Sequence, residues 1–163
     1  MPSNFIDEAF VVPTSLDTEH FHFRMLEESI AALDFEAVMS SQKRLQGVFG
    51  LGSKWPKVDM TLAENVESLK IHQQEFRSRK AFAYSVFNNS KTKCLGSVYI
   101  DPSQSHDYDC DVYLWIRDDS LALDNALYGA VLSWLSSDWP FSNIVFPGRS
   151  ISWLAWNAAL KAG

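Results

Sequence analysis

Acidic and aromatic side chains alternate along one short segment of this chain, and the residues best suited to chemistry lie there. From Tyr108 onward, one set of alternate positions reads Tyr108, Cys110, Val112, Leu114, Ile116 and the other reads Asp109, Asp111, Tyr113, Trp115, Arg117. This is the two-residue period of a strand, with one apolar face and one face that mixes acids with aromatics. A carboxylate on such a face can act as a general base. An aspartate starts near pKa ~3.9 and needs burial or a like-charged neighbour to do so. The series Asp107, Asp109, Asp111 supplies the neighbours, so Asp109 and Asp111 are candidate catalytic residues. The plainer alternative is a solvated strand edge. Trp115 shares their face and is a candidate wall of a cleft for an apolar or aromatic ligand.

Other chemistries fit less well. Asp107-Tyr108-Asp109-Cys110-Asp111 copies the first ligands of a calcium loop, but Val112 stands where glycine is needed and Asp118 where glutamate is needed. His20 and His22 would point to one side of a strand, yet no cysteine or histidine sits at partner spacing, so no metal is expected. Cys94 or Cys110 with His106 would make a nucleophile pair, but Cys110 reads as core. Arg149, after Phe146-Pro147-Gly148, suits a phosphate, a carboxylate or a surface acid.

The whole chain bounds these choices. Its 163 residues, 47% of them hydrophobic, suffice for one core, so residues 1–163 are read as a single soluble domain with 1–15 as an N-terminal extension. No apolar run reaches the roughly 18 residues that span a bilayer. With 20 acidic against 14 basic residues the formal charge is −6, which repels phosphate backbones, so nucleic acid is not an expected partner. The start, Met1 to Glu8, lacks a basic segment followed by an apolar one, so a cytoplasmic location is expected, with Cys94 and Cys110 as free thiols.

The flanking elements follow from periodicity. His20 to Met25 alternates like an early strand. Asp34 is a plausible N-cap for a helix carrying Phe35, Val38, Met39 and Leu45. Gln46 to Asp59, with three glycines and Trp55-Pro56, reads as a loop. Thr61-Leu62-Ala63-Glu64 has capping-box spacing before a helix reaching Arg79. Ala81–Phe87 and Cys94–Ile100 read as a hairpin around Asn88-Asn89, and a helix capped by Asp124 or Asn125 carries Leu127, Val131, Trp134 and Leu135. A short strand, Asn143–Phe146, and a helix from about Ser152 to Ala162 close the chain. The expected class is therefore α/β or α+β, layered.

That order, with Leu16-Asp17-Thr18-Glu19 leading into the strand ending at Arg24-Met25, and with Leu95-Gly96-Ser97-Val98 in the hairpin, resembles the GNAT acetyltransferase superfamily. It is most similar to the branch that acetylates N-terminal amino groups of ribosomal proteins. Asn157 to Gly163 resembles that family's late helix. The resemblance implies a mixed, mostly antiparallel sheet with helices on both faces, and an acetyl group passed from acetyl-coenzyme A to a small-molecule or peptide amine by direct attack. It implies that backbone groups of Leu114, Trp115 and Ile116 hold the pantetheine arm. Amides of Leu123, Asp124, Asn125 and Ala126 would meet the pyrophosphate at a helix N-terminus, Asn157 would lie near the coenzyme, and Asp111 or a water it holds would take the proton.

Three departures accompany the likeness. The turn Asp118 to Leu123 has no glycine and brings Asp118, Asp119 and Asp124 close to the expected diphosphate. Like charges at such range cost on the order of 3 kcal/mol per pair, less when exposed, which implies weaker coenzyme binding. The late helix carries Trp153, Trp156 and Asn157 with no tyrosine. The chain ends at Gly163, so the two later strands of the family are expected to be missing; either a partner chain, as in a homodimer, or the N-terminal extension completes the acceptor wall, or the site is open. The alternative reading is a non-catalytic member whose cleft binds another small ligand or a protein.

Overall fold

In the computed structural model, residues 5–162 are described; residues 1–4 and Gly163, on which part of the N-terminal and late-helix readings fell, lie outside them. Six strands form one sheet in sequence order: β1 (Ser15–Asp17), β2 (His22–Met25), β3 (Phe82–Phe87), β4 (Cys94–Pro102), β5 (Cys110–Ile116) and β6 (Ile144–Val145). All neighbours are antiparallel except β5 and β6, which run parallel. The helices are α1 (Ala31–Ser40), α2 (Gln42–Leu45), α3 (Leu62–Arg77), α4 (Asp124–Asp138) and α5 (Trp153–Ala162), and a 3-10 turn at Asp118–Leu123 leads into α4. Among the described residues no strand follows α5, and no helix is long and apolar enough to cross a membrane.

The alternation along β5 sorts its residues between two cores. Cys110, Val112, Leu114 and Ile116 pack with Phe82, Tyr84 and Val86 of β3 against Leu127, Val131, Trp134 and Leu135 of α4. Tyr113 and Trp115 pack on the opposite face with Tyr99, Ala37, Val38 and Leu69. Both faces of this strand are thus covered, which is why every residue of β5 is buried although Asp111, Tyr113 and Trp115 are polar or aromatic. Gly96 lets β4 and β5 close together. A Cβ there would lie 2.0 Å from the carbonyl oxygen of Trp115.

Helix α3 begins as its sequence dictates. The Thr61 hydroxyl accepts from the amide of Glu64 at 3.1 Å, and the Glu64 carboxylate accepts from the amide of Thr61 at 3.1 Å. Helix α1 differs from expectation: it starts at Ala31, three residues before Asp34, and Asp34 is buried in its interior. The physical reason is tertiary. The Asp34 carboxylate accepts from Nδ2 of Asn65, on α3, at 2.9 Å, and a helix–helix hydrogen bond outweighs the local preference of aspartate for a cap. Leu45 lies on the separate turn α2. Cys94 and Cys110 are free and buried.

Candidate active site

Strands β5 and β6 are paired at only two positions, Cys110 with Ile144 and Asp111 with Val145. Beyond them β5 runs on to Ile116 while the other chain turns away at Pro147-Gly148, so a wedge opens between them beside the start of α4. A cavity of about 250 Å³ lies there, lined by Val48, Tyr113, Leu114, Gly148, Arg149 and Trp153, among others. Backbone groups alternate in direction along a strand. The Arg117 amide donates to the carbonyl of Leu95 on the β4 side at 2.7 Å, so Trp115, of the same parity, directs its backbone to β4 and not into the wedge. Leu114 and Ile116 face the wedge, and the Ile116 carbonyl already accepts from Arg44. The expectation for Trp115 is corrected in a second respect: its indole is buried and donates to the Tyr99 hydroxyl at 3.1 Å.

The wedge is partly filled by the protein itself. Gly148 has φ +83°, and the Trp153 indole lies 2.5 Å from where a Cβ on Gly148 would stand. Trp153 also stacks on Tyr113, with ring centroids 6.4 Å apart and planes 15° apart. At the mouth, Arg149 binds both oxygens of Asp124 at 2.8 and 2.9 Å, over the first turn of α4, and its guanidinium sits 5.5 Å from the Tyr128 ring centre. Asn157 is exposed on α5.

The acidic turn differs from the unbalanced charge expected of it. Asp118 pairs with Arg44, Asp119 with Lys93 at 2.9 Å and Arg117 at 2.8 Å, and Asp124 with Arg149. Arg117 is only 3% exposed and also binds the carboxylate of Glu36. These cations hold Glu36, Asp119 and Asp124 below the usual carboxylate range, chiefly through hydrogen bonds from Arg117, Lys93 and Arg149 respectively. The turn therefore presents a neutralised mesh in place of three free negative charges.

Asp109 and Asp111, the two candidate bases, are tied to loops. The Asp109 carboxylate accepts from the amides of Ser142 and Asn143 at 2.6 and 2.9 Å and so anchors the segment entering β6. The Asp111 carboxylate accepts from the Ser103 hydroxyl at 2.7 Å and the Gln104 amide at 3.0 Å. Burial raises the pKa of Asp111 and those two donors oppose the rise. Directly across from Asp111, on β4, is Asp101. His22 bonds Asp17 at 2.7 Å.

Asp101 opens a second cavity that sequence reasoning missed. It measures about 290 Å³ and is lined by Asp34, Phe49, Trp55, His72, Tyr99 and Asp101, among others. Burial pushes the carboxyls of Asp34 and Asp101 up to about 6, with Glu75 and Asp111 adding to the effect at Asp101. Burial also lowers the pKa of His72 and raises that of Tyr99. The residues come from α1, α3, β4 and the 46–59 loop, so no spacing announces them. Phe49 divides the two cavities, packing edge-on against Tyr99 at 4.9 Å and against Tyr113 at 5.5 Å.

A mostly antiparallel sheet whose one parallel pair opens beside a helix N-terminus is the GNAT fold, and this chain has it. Among solved structures with this fold, a ribosomal-protein-alanine acetyltransferase from Vibrio fischeri superposes with TM-score 0.58 at 15% identity, covering 76% of this chain and 67% of that one. A microcin self-immunity acetyltransferase, solved with acetyl-CoA and AMP, gives 0.57 at 13% identity over 77% and 69%. A ribosomal α-N-protein acetyltransferase with coenzyme A gives 0.56 at 14% identity over 77% and 68%. No family model matches the chain, and no curated protein matches it in sequence.

Proposed function

We propose that the chain is an acetyl-coenzyme A-dependent N-acetyltransferase acting on an amine. The observation that carries this reading is the opening of β5 from β6 after two paired residues, next to the N-terminus of α4. Acetyl-CoA would supply the thioester. A neutral amine attacks its carbonyl carbon, the C–N bond forms, the C–S bond breaks, and the thiolate leaves to be protonated by solvent. The ammonium formed gives its proton to a carboxylate at the end of the second cavity. There Asp101 and Asp111 face one another across β4 and β5. Asp111 is engaged by Ser103 and Gln104, which leaves Asp101 as the freer proton acceptor. Leu114 offers backbone groups to the pantetheine arm, and Arg149, released from Asp124, offers a planar guanidinium to the diphosphate.

A second reading is a non-catalytic GNAT-fold protein whose cleft binds another small ligand or a protein. The Trp153 indole in the wedge and the Asp124–Arg149 pair across the helix start favour it. The two readings separate on incubation with acetyl-CoA and a small primary amine. Thiol release matched by a product 42 Da heavier, the mass of an acetyl group less one hydrogen, supports the transferase; saturable ligand binding without either supports the second reading.

A further inference from the structure

Helix α5 is held to the protein far more lightly than α4. Leu127, Val131, Trp134 and Leu135 of α4 are buried, whereas among the described residues of α5 only Trp156 is, packed near Tyr108 with ring centres 6.1 Å apart. Leu154 is 81% exposed, and Ala155, Asn157 and Ala158 are exposed as well. Among the described residues no α5 side chain forms a hydrogen bond or ion pair with the rest of the protein. The bonds at its start are local: the Ala155 amide donates to the Ser152 hydroxyl at 3.1 Å and the Trp156 amide to the Ser152 carbonyl at 2.9 Å.

The bend that precedes α5 keeps its shape without it. The Phe146 amide donates to the Ser150 hydroxyl at 2.8 Å, the Gly148 amide donates to the Ile151 carbonyl at 2.9 Å, and Arg149 is fixed to Asp124. Ser152, the junction between bend and helix, is exposed. Helix α5 is ten residues long, and isolated helices of that length are marginal in water, so leaving the sheet and unwinding are one event. With so little apolar surface buried, that event lies at the low-cost end of local unfolding.

We propose that α5 is a detachable plug: Trp153 closes the wedge in the resting protein, and the coenzyme enters when residues 152–162 come off as a unit. The identity of the entering ligand rests on the transferase reading; the detachment does not. Trp153 is the first residue of α5 and touches both sides of the opening, Gly148 after β6 and Tyr113 on β5. A ligand that binds only the open form has its apparent dissociation constant divided by the open fraction, so a closed form favoured about ten to one weakens binding about tenfold. The plug thereby sets both the affinity and the entry rate of the wedge.

The test is native-state amide hydrogen exchange on the full chain, first without coenzyme, in buffer and in sub-denaturing urea. The amides of residues 155–162 should exchange together, at least tenfold faster than the middle of α4 and at a rate that low urea leaves unchanged. Trp153→Ala and Tyr113→Leu should each speed that exchange about tenfold and leave β3 unchanged; two substitutions keep the test valid if one variant misfolds. Exchange of α5 only through global unfolding, a graded rate that falls from Ala162 to an Ala155 as slow as α4, or no change in either variant would overturn the proposal. Saturating acetyl-CoA should then speed exchange in α5 while slowing it at the start of α4. Slower exchange in both would show that the coenzyme binds with the helix in place, which also overturns the proposal. Absence of any acetyl-CoA binding counts against the transferase reading alone, because exchange in the free protein decides the plug.

Discussion

Arg149 and Asp124 form a two-pronged ion pair at 2.8 and 2.9 Å over the first turn of α4. A diphosphate placed at that helix start must take the guanidinium from the carboxylate. The pair thus sets a threshold for any anionic ligand: the ligand gains Arg149 only by leaving Asp124 unpaired. Asp124→Asn removes the competitor and a nearby negative charge, and acetyl-CoA should bind about tenfold tighter. Arg149→Ala should bind it about tenfold more weakly. Isothermal titration of both variants reads the two effects, and equal affinities in both would remove the helix start from the coenzyme path.

Gly148 and Trp153 are coupled in the same way. Gly148→Ala places a methyl group 2.5 Å from the indole on a backbone with φ +83°, and backbone strain alone costs about 1–3 kcal/mol. The melting temperature should fall by roughly 2–4 °C per kcal/mol for a chain of this size. Adding Trp153→Ala removes the clash but not the backbone strain, so the double variant should lose less than the sum of the singles. Additive losses in calorimetric melts would show that the contact does not matter.

Arg117 ties three segments together through Glu36, Asp119 and the Cys94 carbonyl. It is buried, while the Glu36 side chain is 59% exposed, so the cost of removing it falls below that of a fully buried pair. Arg117→Leu should destabilise by about 2 kcal/mol, read as a lower denaturant midpoint with unchanged slope.

Asp34 gives a pH signature. Its folded pKa, about 6, lies above the 3.8 of an ordinary aspartate, so the folded state binds this proton more tightly than the unfolded one. Its contribution is therefore most favourable below pH 3.8 and turns against folding as pH rises to 6, by up to about 3 kcal/mol. Asp34→Asn keeps an oxygen for Asn65 and removes the charge. The variant should gain on the wild type between pH 4 and 6 and hold that gain at pH 7.5. A difference that does not vary with pH in urea titrations would contradict the assignment.

Local order was legible where short-range physics decides it. Thr61 and Glu64 are three residues apart and cap their helix as their spacing indicates, and the alternation in β5 named both of its faces. Long-range pairing was not legible. Asp34 has the profile of a cap until Asn65, 31 residues away, claims it. The acids of the 118–124 turn looked unbalanced because Arg44, Lys93 and Arg149 reach them only through the fold. Asp109 and Asp111 stood out by spacing, yet their carboxylates hold loops. The cavity of Asp34, His72, Tyr99 and Asp101 draws on elements separated by the whole 46–59 loop, whose Phe49 and Trp55 carry no periodicity.

In the proposed transferase, the wedge between β5 and β6 accepts acetyl-CoA despite the side chains already in it. Titration of acetyl-CoA into the wild-type protein and into Trp153→Ala tests it most directly. Saturable one-to-one binding is expected in both, tighter in Trp153→Ala because the indole no longer has to leave the wedge. No saturable binding by either protein at millimolar acetyl-CoA would contradict it.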